Sequence, residues 1–182
     1  MHLLGLTPFG AFHTAISLVA VLAGLVAFIR YKAISPRSLA GKVYIGMTVA
    51  TCVTGFLIFH HGGFGKPHAL GIVTLLVLGV AAIAGYSNVF GRASRYVETV
   101  SYSATFFFHM IPAITETSTR LPAGAPLVAN ADAPELQAAT GVLFVLFLLG
   151  VAWQAWRLRA SPIPAIVTAP SPPLEANVHR AQ

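Results

Sequence analysis

Five histidines and one glutamate lie in or beside long apolar segments of this chain, where ionisable side chains are costly and usually serve a function. They come from four different segments and are His13, His60, His61, His68, His109 and Glu116. Imidazoles from several helices together with one carboxylate are suitable ligands for Zn²⁺, Fe or Cu. The pattern therefore predicts a metal site, if the fold brings these segments together.

Haem b is an open alternative for the same residues, since it needs two histidines on different helices at similar depth. His13 and His109 form the best pair, because they lie inside their segments rather than at the ends. Zinc would suit hydrolysis of a lipid-borne bond, whereas iron or copper would suit redox chemistry. We interpret Glu116 as a ligand or proton acceptor and Arg120 as the group that holds Glu116 or an anionic group in place. Whether the chain is an enzyme stays open.

The fourth apolar segment carries a polar stripe that allows a reading without any cofactor. Its residues follow the spacing 4, 3, 4, 3, 4 of one helical face and are Glu98, Tyr102, Thr105, His109, Pro112 and Glu116. Lipid cannot satisfy such a stripe, so it should face the interior. A proton path could then run along Glu98, Tyr102, Thr105, His109 and Glu116, with Arg95 and Arg120 as flanking charges.

The composition indicates an integral membrane protein. The chain is 56% hydrophobic and only 9% charged, whereas a soluble domain carries about 25% charged residues. The formal charge of +6 comes from basic residues beside apolar runs, which favours a role in membrane orientation over nucleic-acid binding.

Five apolar runs are long enough to predict transmembrane helices in an all-α bundle. They cover residues 9–29, 43–59, 68–86, 96–115 and 136–156. Basic residues concentrate in the first and third connections and after the fifth run, which predicts an outside N-terminus and a cytoplasmic C-terminus. All five histidines then lie near the outer side. We expect the first helix to be retained, because no basic stretch precedes it.

Smaller features complete this organisation. Thr7-Pro8 should begin the first helix, and Asp132 with Glu135 should form a capping box before the fifth. Apart from Trp153 and Trp156, which fit an inner aromatic belt, the fifth helix is nearly featureless and should be peripheral. Residues 1–160 thus form a transmembrane domain, and the proline-rich residues 161–182 should be a disordered cytoplasmic tail.

Two motifs resemble the DUF2306 family of bacterial membrane proteins. They are Ser38-Leu39-Ala40-Gly41-Lys42-Val43-Tyr44 and Gly62-Gly63-Phe64-Gly65-Lys66-Pro67-His68. The resemblance covers roughly residues 10–122 and implies a small multi-pass protein of the bacterial inner membrane. Because the family has no established activity, the resemblance implies no catalytic role.

The sequence thus predicts a membrane protein with an outward-facing His/Glu site that binds a metal ion or haem for redox or lipid-linked chemistry. The alternative is a proton- or ion-conducting protein, or an accessory subunit without a cofactor. Either would have the lipid bilayer as its partner, with a homo-oligomer or a larger membrane complex as a further expectation.

Overall fold

The computed structural model describes residues 7–59, 63–87 and 89–160, and within these ranges the chain forms helices and no strand. A 3-10 turn, Gly91–Ala93, precedes the fourth of five α-helices. The helices are α1 Pro8–Tyr31, α2 Leu39–Gly55, α3 Lys66–Tyr86, α4 Ser94–Arg120 and α5 Pro134–Ala160. The predicted all-α class with five helices is therefore confirmed. His60, His61 and the tail from residue 161 lie outside the described residues.

Helices α1, α3 and α5 are long and apolar enough to cross a membrane by length and composition. Helix α2 is apolar but has only 17 residues, and α4 is longer and carries the polar stripe. Large apolar side chains such as Leu22, Leu76 and Leu149 are more than half exposed on the outside of the bundle, which suits contact with lipid. It stays a prediction that α2 and α4 also cross the membrane. The direction in which the helices cross is likewise a prediction.

Local start signals explain where α1 begins, but the predicted capping box of α5 is wrong. The Thr7 hydroxyl accepts the backbone N–H of Gly10 at 3.1 Å, as an N-cap residue should. Helix α5 begins at Pro134, so Asp132 lies one residue too early to cap it. Its carboxylate instead accepts a hydrogen bond from Lys66 at 2.7 Å. This hydrogen bond and the lysine charge hold the pKa of Asp132 below its usual value.

Helix α4 occupies the centre of the bundle. It packs against α1, α3 and α5, while α1 also packs closely on α2. Small residues allow these approaches: a Cβ on Gly24 would lie 2.6 Å from the ring of Phe106. The α5 helix packs on α4 and has no comparable contact with any other described helix, which fits its predicted peripheral position.

Candidate functional site

The polar stripe of α4 faces the interior over most of its length. Glu98, Tyr102, Thr105 and His109 are all buried. Pro112 and Glu116, at the end of the stripe, are exposed. The predicted inward face is thus correct from Glu98 to His109 but not at Pro112 and Glu116.

His109 is fixed by a threonine of α2. Its Nε2 lies 3.0 Å from the Thr48 hydroxyl oxygen, and that hydroxyl donates its hydrogen to the Tyr44 carbonyl at 2.8 Å. Since a hydroxyl has only one hydrogen, Thr48 must accept from His109. Nε2 of the neutral ring therefore carries the proton, and Nδ1 keeps its lone pair.

His13, on α1, is held in the same way by a second threonine of α2. Its Nδ1 lies 2.8 Å from the Thr54 hydroxyl oxygen, and Thr54 donates to the Ala50 carbonyl at 2.8 Å. The proton of the neutral ring is therefore on Nδ1, and Nε2 keeps its lone pair. Gly55 makes room for this ring, because a Cβ there would lie 3.2 Å from His13 Cε1.

The two histidines and Glu116 share one electrostatic environment. The charge of Glu116 acts on His13, and a charge on His13 would act on His109. Glu116 forms an ion pair with Arg120, one turn later on α4, so the predicted contact between these two residues is present. However, among the described residues no group of three or more His, Cys, Asp or Glu side chains could hold a metal ion. His60 and His61, two of the predicted ligands, lie outside the described residues, so the larger ligand set stays a prediction.

His68 has a different role from His13 and His109. Its Nδ1 accepts the backbone N–H of Gly65 at 3.3 Å, which is the role that Glu or Gln plays in a capping box. Its ring is stacked on Phe59, with centroids 4.9 Å apart. The proton of the neutral ring must then be on Nε2, which is buried and has no hydrogen-bond partner among the described residues. In this tautomer Nε2 is a donor, and the role of His68 as a metal ligand stays a prediction.

At the other end of the stripe, Glu98 forms an ion pair with Arg37, a partner that was not predicted from the sequence. Arg37 Nη1 donates to both carboxylate oxygens of Glu98, at 2.9 and 3.2 Å. Arg37 Nη2 donates to the Gly85 carbonyl at 3.1 Å. The loop before α2, the end of α3 and the start of α4 are thereby joined. Arg37 is therefore the charge that accompanies Glu98, and the role of Arg95 as a flanking charge stays a prediction.

The hydrogen bonds between Glu98 and His109 do not form a continuous path through the described side chains. The Tyr44 hydroxyl lies 2.8 Å from Thr105 Oγ1, which donates to the backbone carbonyl of Tyr102. The Thr48 hydroxyl likewise ends on the carbonyl of Tyr44. Protons that reach a backbone carbonyl cannot be passed on, so these contacts serve to fix α2 against α4. The proton path through Glu98, Tyr102 and Thr105 stays a prediction.

Sequence reasoning also missed Thr54 and Gln154. Gln154 is buried, accepts a hydrogen bond from Ser103 at 2.8 Å and donates to the Lys32 carbonyl at 3.0 Å. Its signal was available, because an amide that follows the long apolar run of α5 needs hydrogen-bond partners. Thr54 carries no such signal, since threonine commonly bonds its own helix backbone.

No family model, no curated protein and no solved structure matches this chain.

Replacing Thr48 by valine tests the assignment of the His109 proton. Valine keeps the shape of the side chain but removes the acceptor for Nε2–H, so His109 should exchange between its two neutral tautomers. Imidazole ¹⁵N chemical shifts report this change directly. Thr74→Val is the matched control, because Thr74 is also buried and donates to the carbonyl four residues earlier. An unchanged His109 spectrum in Thr48→Val would contradict the assignment.

Proposed function

We propose that this chain is a membrane protein in which His13 and His109 bind a transition-metal ion. The observation that carries the proposal is that each neutral ring holds its proton on the nitrogen facing a threonine. The second nitrogen is left with a free lone pair. Ligand histidines in metal sites are oriented in this way, with their other N–H donated to a neighbouring oxygen.

The two-histidine arrangement favours an ion with open coordination positions. Two protein ligands leave the remaining positions to water or a substrate, whereas catalytic zinc sites commonly have three protein ligands and one open position. Glu116 would act as a proton acceptor for a group bound there, with Arg120 fixing its carboxylate. Zinc would support hydrolysis of a lipid-borne bond, and iron or copper would support redox chemistry.

A bare ion and haem make the same demand on the two histidines, because in both cases the two imidazole nitrogens must reach one metal atom. The two histidines are anchored at Thr48 and Thr54, which are six residues apart and therefore offset by about 9 Å along α2. Binding either group therefore requires the two rings to reach one point from these separate anchors.

Three further parts of the proposal concern the setting of the site. They are membership of the DUF2306-like proteins, location in a bacterial inner membrane and assembly with a second copy or a larger complex. The DUF2306-like membership is supported by two residues of the motif Ser38–Tyr44 that have structural roles. Gly41 lies against the preceding turn, and the buried Tyr44 hydroxyl forms a hydrogen bond with Thr105.

The test is metal content after loading the purified full chain with Zn²⁺, Fe²⁺ or Cu⁺, combined with an optical spectrum of the same sample. We expect a stoichiometric metal that is lost in both His13→Gln and His109→Gln. His68→Gln is the control, because glutamine can also accept the Gly65 N–H at this position, and its metal content should match the unsubstituted chain. A protein that stays metal-free and colourless after loading would overturn the proposal. Equal metal loss in all three variants would also contradict it.

A further inference from the structure

An open groove separates α5 from α1 on one side of α4. Its volume is about 280 Å³, and its walls are mainly aromatic and aliphatic. The groove is lined along its apolar part by Phe28, Phe106, Met110, Leu143, Phe147 and Gly150. Neither His13 nor His109 contributes to it, so this groove is distinct from the proposed metal site.

The groove exists because α5 contacts the rest of the bundle through α4. Gln154 holds one end of the gap at a fixed width by bonding both Ser103 on α4 and the Lys32 carbonyl at the end of α1. One turn earlier on α5, Gly150 has no side chain, and a Cβ there would meet nothing within 4 Å. Gln154 therefore keeps the gap open at one end, and the absence of a side chain at Gly150 leaves space beside it.

The end of the groove near Gln154 is positively charged. Lys32 lines it, is exposed, and forms none of the three ion pairs found among the described residues. Arg157 lies over the ring of Trp153, another lining residue, at 5.0 Å from its centroid. Two cationic side chains thus stand where the apolar walls end.

The backbone of Lys32 is unusual for a lysine. Its φ of 64° places it in the left-handed region, which is uncommon for a residue other than glycine or asparagine. Lys32 Nζ donates to the Ile29 carbonyl at 2.8 Å and so stays beside the helix end. A glycine would fit this backbone with less strain, so the position retains a charge at a conformational cost.

We propose that the groove binds one acyl chain of an anionic phospholipid, with its phosphate at Lys32 and Arg157. The lining on α5 extends from Leu143 to Gln154, about 16 Å along the helix, and is apolar until the charged end. An elongated apolar ligand with one anionic terminus is complementary to both parts. Basic side chains at the end of membrane helices, beside a tryptophan, are also where phospholipid headgroups lie.

The acyl-chain part is tested by filling the groove. The full chain in detergent is titrated with phosphatidylglycerol and with phosphatidylcholine, and bound lipid is counted by native mass spectrometry. Gly150→Leu should weaken binding of both lipids about tenfold, the loss expected when roughly two methylenes lose their burial. Gly141→Leu is the matched control, because Gly141 also lies on α5 in open space and does not line the groove. Equal binding by the two variants would overturn the proposal.

The headgroup part is tested by Lys32→Gly, which removes the charge and suits the left-handed backbone. The Gln154 bond is to the backbone carbonyl of residue 32, so it can remain. Binding of phosphatidylglycerol should fall about fivefold, the value of one basic residue near a membrane surface, and binding of phosphatidylcholine should not change. An unchanged preference for phosphatidylglycerol would overturn the assignment of the phosphate to this end.

Discussion

Replacing Gly41 by alanine is expected to cause the largest loss of stability among the glycine-to-alanine changes in α2. A Cβ at this position would lie 1.9 Å from the Ser35 carbonyl oxygen and 2.9 Å from the Ser35 nitrogen. These are backbone atoms, so no side-chain rotation can relieve the clash. Overpacking of this kind costs about 1–3 kcal/mol or more, and thermal unfolding in detergent measures it.

The clash at Gly41 should also spread to the neighbouring turn. The Ser38 hydroxyl both accepts the Gly41 N–H and donates to the Ser35 carbonyl, each at 3.1 Å. Moving Ser35 therefore disturbs the N-cap of α2 and the adjacent Arg37. We expect Gly41→Ala to weaken the contact of Arg37 with Glu98 as well.

Gly46→Ala is the control for this prediction. Gly46 lies in the same helix, and a Cβ there would meet nothing within 4 Å. Alanine is favoured over glycine inside a helix by up to about 1 kcal/mol, so this variant should be unchanged or slightly more stable. Equal destabilisation by the two substitutions would show that the Ser35 contact is not the cause.

Glu98→Gln is the second substitution with a large expected effect. The Glu98 side chain is 11% exposed and receives two hydrogen bonds from Arg37 Nη1. Glutamine keeps the shape but removes the charge and one acceptor, so we expect a loss of about 1–3 kcal/mol in thermal or denaturant unfolding. The loss should stay below that of a fully buried pair, because 65% of the Arg37 side chain is exposed.

A double-mutant cycle separates this ion pair from other effects of the substitution. Arg37→Gln should destabilise the protein to a similar extent, and the double variant should lose less than the sum of the two. Asp132→Asn is the control, since its pair with Lys66 is mostly exposed and such pairs contribute about 0–1 kcal/mol. Additive losses at Arg37 and Glu98 would contradict a direct coupling.

The Glu98→Gln variant also distinguishes a structural role of Glu98 from a role in a proton path. If the carboxylate mainly joins the loop before α2 to α3 and α4, Glu98→Gln lowers stability in the absence of any proton gradient. A Glu98→Gln protein with unchanged unfolding but reduced proton flux in liposomes would favour the path instead.

The sequence by itself determined the helical class and much of the inward face of α4. Apolar runs of membrane length predict five helices because each buries its backbone hydrogen bonds within itself, and Thr7 shows locally where α1 begins. The spacing of Glu98, Tyr102, Thr105 and His109 predicts a buried stripe because lipid cannot satisfy those groups. These features depend on neighbouring residues along the chain, so the chain order reveals them.

Only the tertiary structure decided which groups the stripe meets. His109 bonds Thr48 and Glu98 bonds Arg37, each across 61 residues of sequence. Helical periodicity shows which face is polar but not which helix lies opposite, or at what rotation and depth. For the same reason the sequence grouped His68 with His13 and His109, although its ring caps α3. Whether a histidine nitrogen is open to a ligand depends on the hydrogen bond of the other nitrogen, and packing alone determines that bond.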